Sequence, residues 1–420
     1  MKGQRQVESV QALALILHGV RIGVLAHYSG GKNILTFDPQ YLALPETLRP
    51  LFTLRQRAHQ GYLEQILQSS QRLPPVLSNL LPEGALRSWL AQSLKVHVDE
   101  EFPLLAWAGD NLPGALEARA LAANEIPSWA LTSRGAPEAV HIESGPDVQK
   151  FSLAGVQMKF SSVRQDGRFN ISSLVGTDSW IIKTPSTVHR NVPENEYTSM
   201  RLAQAIGVDI PDIELVALKQ LDNLPDIRLA DEPYAYAIRR FDRGESGRVH
   251  TEDFAQIFEL YAHDKYRGKN YEQIAAYLYE WSSEPLRDVQ QMARRLLANI
   301  MLANGDAHIK NWSVFYPQQT DVRLSPAYDI VTTRVYIPDE SEAALNMAKE
   351  KRWSMISMQT FERWAERVGI PWPAVRVHLA DATDKARTLW PELLKNLPMA
   401  EDHKAVLRRH WAALSPDFRL

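Results

Sequence analysis

The chain is expected to be an α+β protein with a two-lobed core. A small α+β subdomain comes first, and a mostly helical lobe comes last. Three observations lead there. Short strand-like runs broken by Gly- and Pro-containing turns recur up to about Arg240, and helical spacing dominates beyond about Glu252. Between Val289 and Ala303, one apolar stripe ends abruptly in a polar turn. The composition permits such a chain, because 420 residues leave room for two or three domains and 45% hydrophobic residues supply real cores.

From Ala14 the sequence reads ALILHGVRIGVLAHYSGGKNILTF. Two apolar runs meet at His18-Gly19 and a third follows Ser29-Gly30-Gly31, which predicts a small antiparallel sheet. Residues 52–95 carry helical spacing (Leu63, Ile66, Leu67; Leu86, Trp89, Leu90, Leu94), interrupted by Pro74-Pro75 and by NLLPEG. SRGAPEAVHIESGPDVQ, beginning at Ser133, reads as a linker or exposed edge. Further strands are expected at Arg168–Ser172, Trp180–Lys183, Ile213–Leu218 and Tyr234–Arg240. A helix is expected over Glu194–Ile206, with Pro193 in its first turn and Gly207 as its stop. The domain boundaries implied are 1–135 for the N-terminal subdomain, 136–245 for a nucleotide-binding lobe and 246–420 for the helical lobe.

Charge and cysteine content exclude several classes. Lys and Arg total 47 against 50 Asp and Glu, so a net charge of -3 argues against a large nonspecific grip on nucleic acid. Any DNA contact is expected to be local or made through a partner. The absence of cysteine excludes disulfides and thiolate metal sites, and fits a reducing compartment. No run of about 18 apolar residues is present, and Leu13 to Val20 is too short and interrupted for a signal-peptide core. The protein is expected to be cytoplasmic, with no membrane contact.

The chemistry concentrates in VQQMARRLLANIMLANGDAHIKNWSVF, from Val289. Val289, Met292, Ala293, Leu296, Leu297 and Ile300 form one buried helical face. Asn304-Gly305-Asp306 is a turn signal, and Trp312–Phe315 reads as a strand. Asp306 and Asn311 therefore stand as D-x-x-x-x-N between helix and strand, the spacing of a kinase catalytic loop. Phosphoryl transfer needs a carboxylate to accept the proton of the attacking hydroxyl, and an amide oxygen a short loop away for the magnesium that neutralises the phosphates. A second metal-binding carboxylate should come next, and Asp329, flanked by apolar residues in LSPAYDIV, stands at a suitable distance.

Upstream, Lys183 ends the run Trp180-Ile181-Ile182, where its ammonium can meet the nucleotide's α and β phosphates. Glu196 in the following helix is the expected ion-pair partner. Ser152 to Lys159, SLAGVQMK, occupies the place of a phosphate-covering loop, although a single glycine also suits an ordinary kinked strand. Tyr236 to Arg243 would connect the lobes, offering backbone groups to an adenine edge and Asp242 to the ribose. His308 could orient the loop or touch phosphate. A lone histidine is more often structural, and no helical ligand spacing supports zinc.

Together SLAGVQMK, IIKTPS, ENEYTSMRLAQAIGVDIPDIEL, AIRRFDR, NGDAHIKNWSVFY and LSPAYDIV closely resemble the HipA-type serine/threonine-protein kinases, toxins of bacterial toxin–antitoxin modules. The likeness runs from about Leu13 to beyond Arg352, with no departure at the chemical positions. It implies a protein-kinase-like fold using ATP and Mg2+. It also implies Asp306 as catalytic base with His308 and Asn311 beside it, Asn311 and Asp329 on magnesium, and Lys183 with Glu196 on the phosphates. Ala154, Gly155, Val156 and Gln157 would cover those phosphates. Arg239 and Phe241 would present main-chain groups to adenine, with Asp242 at the ribose and Tyr328 beside the nucleotide. Ser152 matches the family's autophosphorylated serine. A protein substrate such as an aminoacyl-tRNA synthetase and a small helix-turn-helix antitoxin that binds operator DNA are the implied partners. Two other classes share parts of this pattern: a small-molecule phosphotransferase of the aminoglycoside-kinase type, and a nucleotide-binding corepressor scaffold without turnover.

Overall fold

A computed structural model describes residues 8–132, 135–140, 159–165, 167–171, 179–224, 229–245 and 247–420. The chain divides into two compact units, residues 1–151 with 242–262 and 315–321, and residues 152–241 with 263–314 and 322–420. Each has its own sheet and its own core.

In the first unit, β1 (Glu8–Leu17), β2 (Val20–Tyr28) and β3 (Lys32–Phe37) form the expected antiparallel meander. Its first turn is His18-Gly19, where both residues have positive φ. β4 (Leu67–Ser70), β5 (Leu116–Ala120) and β6 (Gly135–Pro137) complete a six-stranded sheet. Two expectations change here. Leu67, read as helical, opens β4, which pairs with β3 along Lys32–Leu35 and leaves alternate residues exposed. Part of the expected linker is also a strand, since β6 lies parallel to β1 with Gly135 opposite Glu8. One face of the sheet buries Leu13, Leu15, Leu25 and Phe37 against Phe102, Leu104 and Leu105 of the helix Glu101–Ala108. Removing that much apolar surface from water is the main source of the unit's stability.

The second unit is built on the sheet order β10-β12-β9-β7-β8-β11. Its strands are β7 (Lys159–Gln165), β8 (Arg168–Asn170), β9 (Trp180–Lys183), β10 (Ile213–Ala217), β11 (Leu221–Asp222) and β12 (Tyr234–Arg239). Phe169, Trp180, Ile182, Val216, Ala235 and Ala237 form its core. The helix Val192–Ala205 follows β9, with Pro193 in its first turn. It ends at Gly207, whose φ of +85° suits glycine, and a Cβ there would also press on the Arg294 guanidinium at 3.2 Å.

The remainder is mostly helical, through Tyr271–Trp281, Pro285–Met301, Met358–Val368, Trp372–Asn396 and Glu401–Ala413, with short strands between. The longest stretch of strand that departs from the helical expectation is a hairpin. Glu342–Met347 and Glu350–Arg352 form a hairpin whose two turn residues, Ala348 and Lys349, both have positive φ. Tight hairpins need that conformation and usually take it from Asn-Gly, so the turn carries no sequence signal. Among the described residues, no helix is long and apolar enough to cross a membrane.

Candidate active site

The strand register assembles the cationic part of the site. Lys183 stands opposite Lys159 in β7 and opposite Tyr236 in β12, so the three share a row on one face of the sheet. Lys183 is buried, and its Nζ donates to both the Glu196 and the Asp329 carboxylates. Lys159 Nζ meets the second Asp329 oxygen at 3.3 Å. Burial alone would raise the Asp329 carboxyl, but the ammonium groups of Lys159 and Lys183 overcome it and hold Asp329 well below the usual carboxylate range. For Lys183, burial works against the charge, and the two carboxylates more than offset it, so the amine stays protonated. Burial raises the Glu196 carboxyl, with Lys183 opposing.

Asp306 and Asn311 sit in the turn after the helix Pro285–Met301. Ala303, at φ +51°, breaks the helix, and Asn304 organises the turn beyond it. Its Oδ1 accepts the Asp306 N–H at 3.0 Å, while its Nδ2 donates to Asn299 Oδ1 at 2.8 Å and toward the Asp329 carbonyl at 3.5 Å. Gly305 permits a close approach: its N–H donates to Thr333 Oγ1 at 2.7 Å, and a Cβ would lie 2.1 Å from the Glu340 carboxylate. Asn311 Nδ2 donates to the Asp306 carbonyl at 2.7 Å, which fixes the amide so that its Oδ1 faces the other way. The Asp306 side chain is 50% exposed, with His308 Nε2 at 3.8 Å from its Oδ1.

The other expected residues divide between the two units. Tyr328 stacks on Phe241, with ring centroids 5.9 Å apart, and its hydroxyl lies 2.5 Å from Ser313 Oγ and donates to the Lys310 carbonyl at 3.0 Å. The Arg239 N–H donates to the Asp212 carbonyl at 2.8 Å, so that main-chain donor is committed within the protein. In the first unit, Asp242 Oδ2 accepts the Gly114 N–H at 2.8 Å and Arg243 Nη1 at 2.9 Å. Ser152, Ala154, Gly155, Val156 and Gln157 lie outside the described residues.

Two positions at the site are not evident from the sequence, Arg295 and Asn195, and Asn304 is legible only as a turn residue. Arg295 is buried beneath the loop, with its guanidinium 4.4 Å from the Trp312 ring and 5.4 Å from that of Tyr328, and Nη2 donates to the Asn311 carbonyl. Burial lowers it to about 10, and it remains charged at neutral pH. Asn195, the neighbour of Glu196, donates to the Thr332 carbonyl at 3.0 Å and accepts the Thr332 N–H at 3.0 Å. It thereby pins the helix of Glu196 to the segment three residues beyond Asp329. The only signal for either was a polar residue on an otherwise buried helical face.

Whether magnesium suits this site is decided by its donors. Asp329 is ionised and already surrounded by cations, and Asn311 Oδ1 is a hard neutral oxygen. Among the described residues, no three His, Asp or Glu side chains gather as a metal cluster, so the nucleotide's phosphates would complete the coordination.

The comparisons with known proteins agree with one another. A family profile described as the HipA-like C-terminal domain matches residues 151–390, and one described as the HipA N-terminal domain matches residues 13–119. The protein Y4dM of Sinorhizobium fredii is 35% identical over 395 residues, covering 93% of this chain and 94% of that protein. The serine/threonine-protein kinase toxin HipA of Shewanella oneidensis is 23% identical, over 82% of each chain. A solved structure of the Shewanella oneidensis HipA and HipB toxin–antitoxin system with its operator DNA superposes with a TM-score of 0.67 at 21% identity, covering 95% of this chain and 94% of that one. The two-lobed α+β kinase-like architecture follows from that superposition.

Proposed function

The chain belongs to the HipA family, and from that premise we propose that it is an ATP-dependent serine/threonine-protein kinase acting as the toxin of a toxin–antitoxin pair. The observation that carries the reading is the chain of contacts Glu196–Lys183–Asp329–Asn304–Asp306–Asn311, a phosphate-binding lysine joined to a catalytic turn. In this reading Lys183 binds and orients the α and β phosphates, and Glu196 keeps its ammonium aimed. Asp306 accepts the proton of the acceptor hydroxyl as that oxygen attacks the γ phosphorus. Asn311 Oδ1 and the Asp329 carboxylate would hold Mg2+, which when bound neutralises phosphate charge. The Phe241–Tyr328 stack offers an aromatic surface beside the base. Arg239 and the residues from Ala154 to Gln157 complete the proposed nucleotide site, and Asp242 is the proposed ribose contact.

The acceptor is a protein, such as an aminoacyl-tRNA synthetase, and also the chain's own Ser152. A helix-turn-helix antitoxin is the proposed partner and the route to operator DNA, and the proposed compartment is the cytoplasm. The base role is tested by Asp306→Asn in the full chain. ATP binding should persist, because Lys183 and Asp329 are untouched, while phosphoryl transfer should fall by about 10² or more. Unchanged turnover would refute the assignment of Asp306.

A further inference from the structure

The Asp306 carboxylate, half exposed as it is, already holds a hydroxyl. Tyr266, in the loop preceding the helix Tyr271–Trp281, donates its phenolic O–H to Asp306 Oδ1. That loop is fastened to the catalytic turn by its backbone, since the Ile309 N–H donates to the Lys265 carbonyl at 3.4 Å. The Tyr266 ring stands edge-on to His308, 5.0 Å away at 81°. Yet Tyr266 is 46% exposed, so the ring is not locked into a core.

A hydroxyl donating to the carboxylate is the contact an acceptor serine or threonine makes as its proton departs. We propose that Tyr266 occupies the acceptor's place at Asp306, capping the base until a protein substrate displaces the phenol. The inference rests on the reading of Asp306 as the base. Geometry favours a tenant over a fixed brace. A brace would be buried within the packing of the turn, whereas this ring stands half in solvent at its rim. Displacing the phenol gives up a charge-assisted hydrogen bond to Asp306, which an acceptor hydroxyl restores on arrival. Water is a poorer competitor, because it brings no further contacts to hold the ring aside. The cap therefore selects against idle hydrolysis of ATP and in favour of a docked protein acceptor. With water as acceptor, the step is attack of its oxygen on the γ phosphorus, breakage of the bond to the β-phosphate oxygen, and passage of the proton to Asp306, giving ADP and phosphate.

The test uses the full chain with magnesium and ATP and water as the only acceptor, following phosphate release over multiple turnovers. Tyr266→Phe keeps the ring and removes the cap. It should raise kcat for phosphate release by about tenfold or more, the low end of what one charge-assisted hydrogen bond is worth, with KM for ATP unchanged. Tyr266→Leu should act in the same direction, should the phenylalanine variant prove unstable. The rise must vanish when Asp306→Asn is added, a non-additivity that a merely structural role would not produce. Release that stays at or falls below the parent rate in both Tyr266 variants, while Asp306→Asn abolishes it, overturns the cap and leaves the base intact. Asp306→Asn hydrolysing ATP at the parent rate would instead remove the base reading and the inference with it.

Discussion

Glu252 in the first unit makes a prediction whose size is set by its surroundings. The carboxylate is buried and accepts from Thr53 Oγ1 at 2.8 Å, from the Leu54 N–H at 2.5 Å and from the Tyr316 hydroxyl. His250 stacks on the Tyr316 ring at 5.4 Å, and burial lowers the imidazole to about 4, so it brings no positive charge at neutral pH. Three donors favour the ionised carboxylate, but burial outweighs them and moves the group from 4.5 to about 7. A folded-state value above the unfolded one means that the native protein binds the proton more tightly. Stability is then greatest below pH 4.5 as far as this group is concerned, and falls as pH rises toward about 7. At about 1.36 kcal/mol per unit, the whole shift corresponds to about 3 kcal/mol. Glu252→Gln is nearly isosteric and cannot titrate. Urea unfolding of parent and variant at pH values of about 5.5 and 7.5 measures the difference. The variant should gain about 2 kcal/mol relative to the parent between the two conditions, because only the parent ionises a buried group over that interval. A stability difference that is the same at both pH values would refute the account of the Glu252 environment.

Other expectations concern the proposed chemistry. Asp329→Asn is the variant to use at a residue with φ +54°, because asparagine tolerates that conformation; it should leave ATP affinity nearly insensitive to added magnesium in calorimetric titration, and an intact magnesium dependence would count against the ligand assignment. Incubation with magnesium and ATP should add one phosphate at Ser152, located by peptide mass spectrometry, and, if Ser152 belongs to the proposed nucleotide site, the modified chain should bind ATP poorly, since about -1.5 to -2 of charge would then face the triphosphate; no phosphate there in an otherwise active preparation would sink the idea. The isolated chain, with a net charge of -3, should show no salt-sensitive operator binding near physiological ionic strength, and tight sequence-specific binding without a partner would overturn that.

Local signals made much of the fold legible. The run Trp180-Ile181-Ile182-Lys183 became β9 with its lysine at the strand end, and Pro193 with Gly207 bracketed the helix carrying Glu196. His18-Gly19 turned the first hairpin as expected. Illegible parts share a physical cause, which is that their partners lie far along the chain or their backbone conformation is paired with an unexpected residue. Ala348 and Lys349 form a tight turn without Asn or Gly, so the segment Glu342–Arg352 kept the helical appearance of its neighbours. Asn195 meets Thr332 across 137 residues, and Arg295 braces Asn311 from inside a helix. No periodicity records such contacts. Lys159 closes SLAGVQMK with no role legible there, because its row with Lys183 exists only once β7 and β9 are in register.

If the proposed site is the nucleotide site, that row constrains how a nucleotide would enter. Lys159 and Lys183 carry two positive charges, Asp329 and Glu196 two negative ones, and the four are paired with one another. A triphosphate drawing Lys183 toward itself leaves Asp329 with less positive charge around it, in a place where burial makes an unpaired carboxylate costly. A divalent cation held by Asp329 would restore that charge and at the same time free the lysines for phosphate. Nucleotide and metal should therefore favour each other's binding, and by linkage the coupling is mutual. The backbone has little freedom to take part. Asn195 clamps Thr332 through both its N–H and its carbonyl, Ser199 Oγ adds bonds of 3.2 Å to Asn195 and to Thr332, and Asn304 spans from Asp306 to Asp329. With the helix of Glu196 and the segment after Asp329 held together in this way, exchange of partners falls to the lysine side chains, whose long flexible stems suit that task better than a guanidinium fork would.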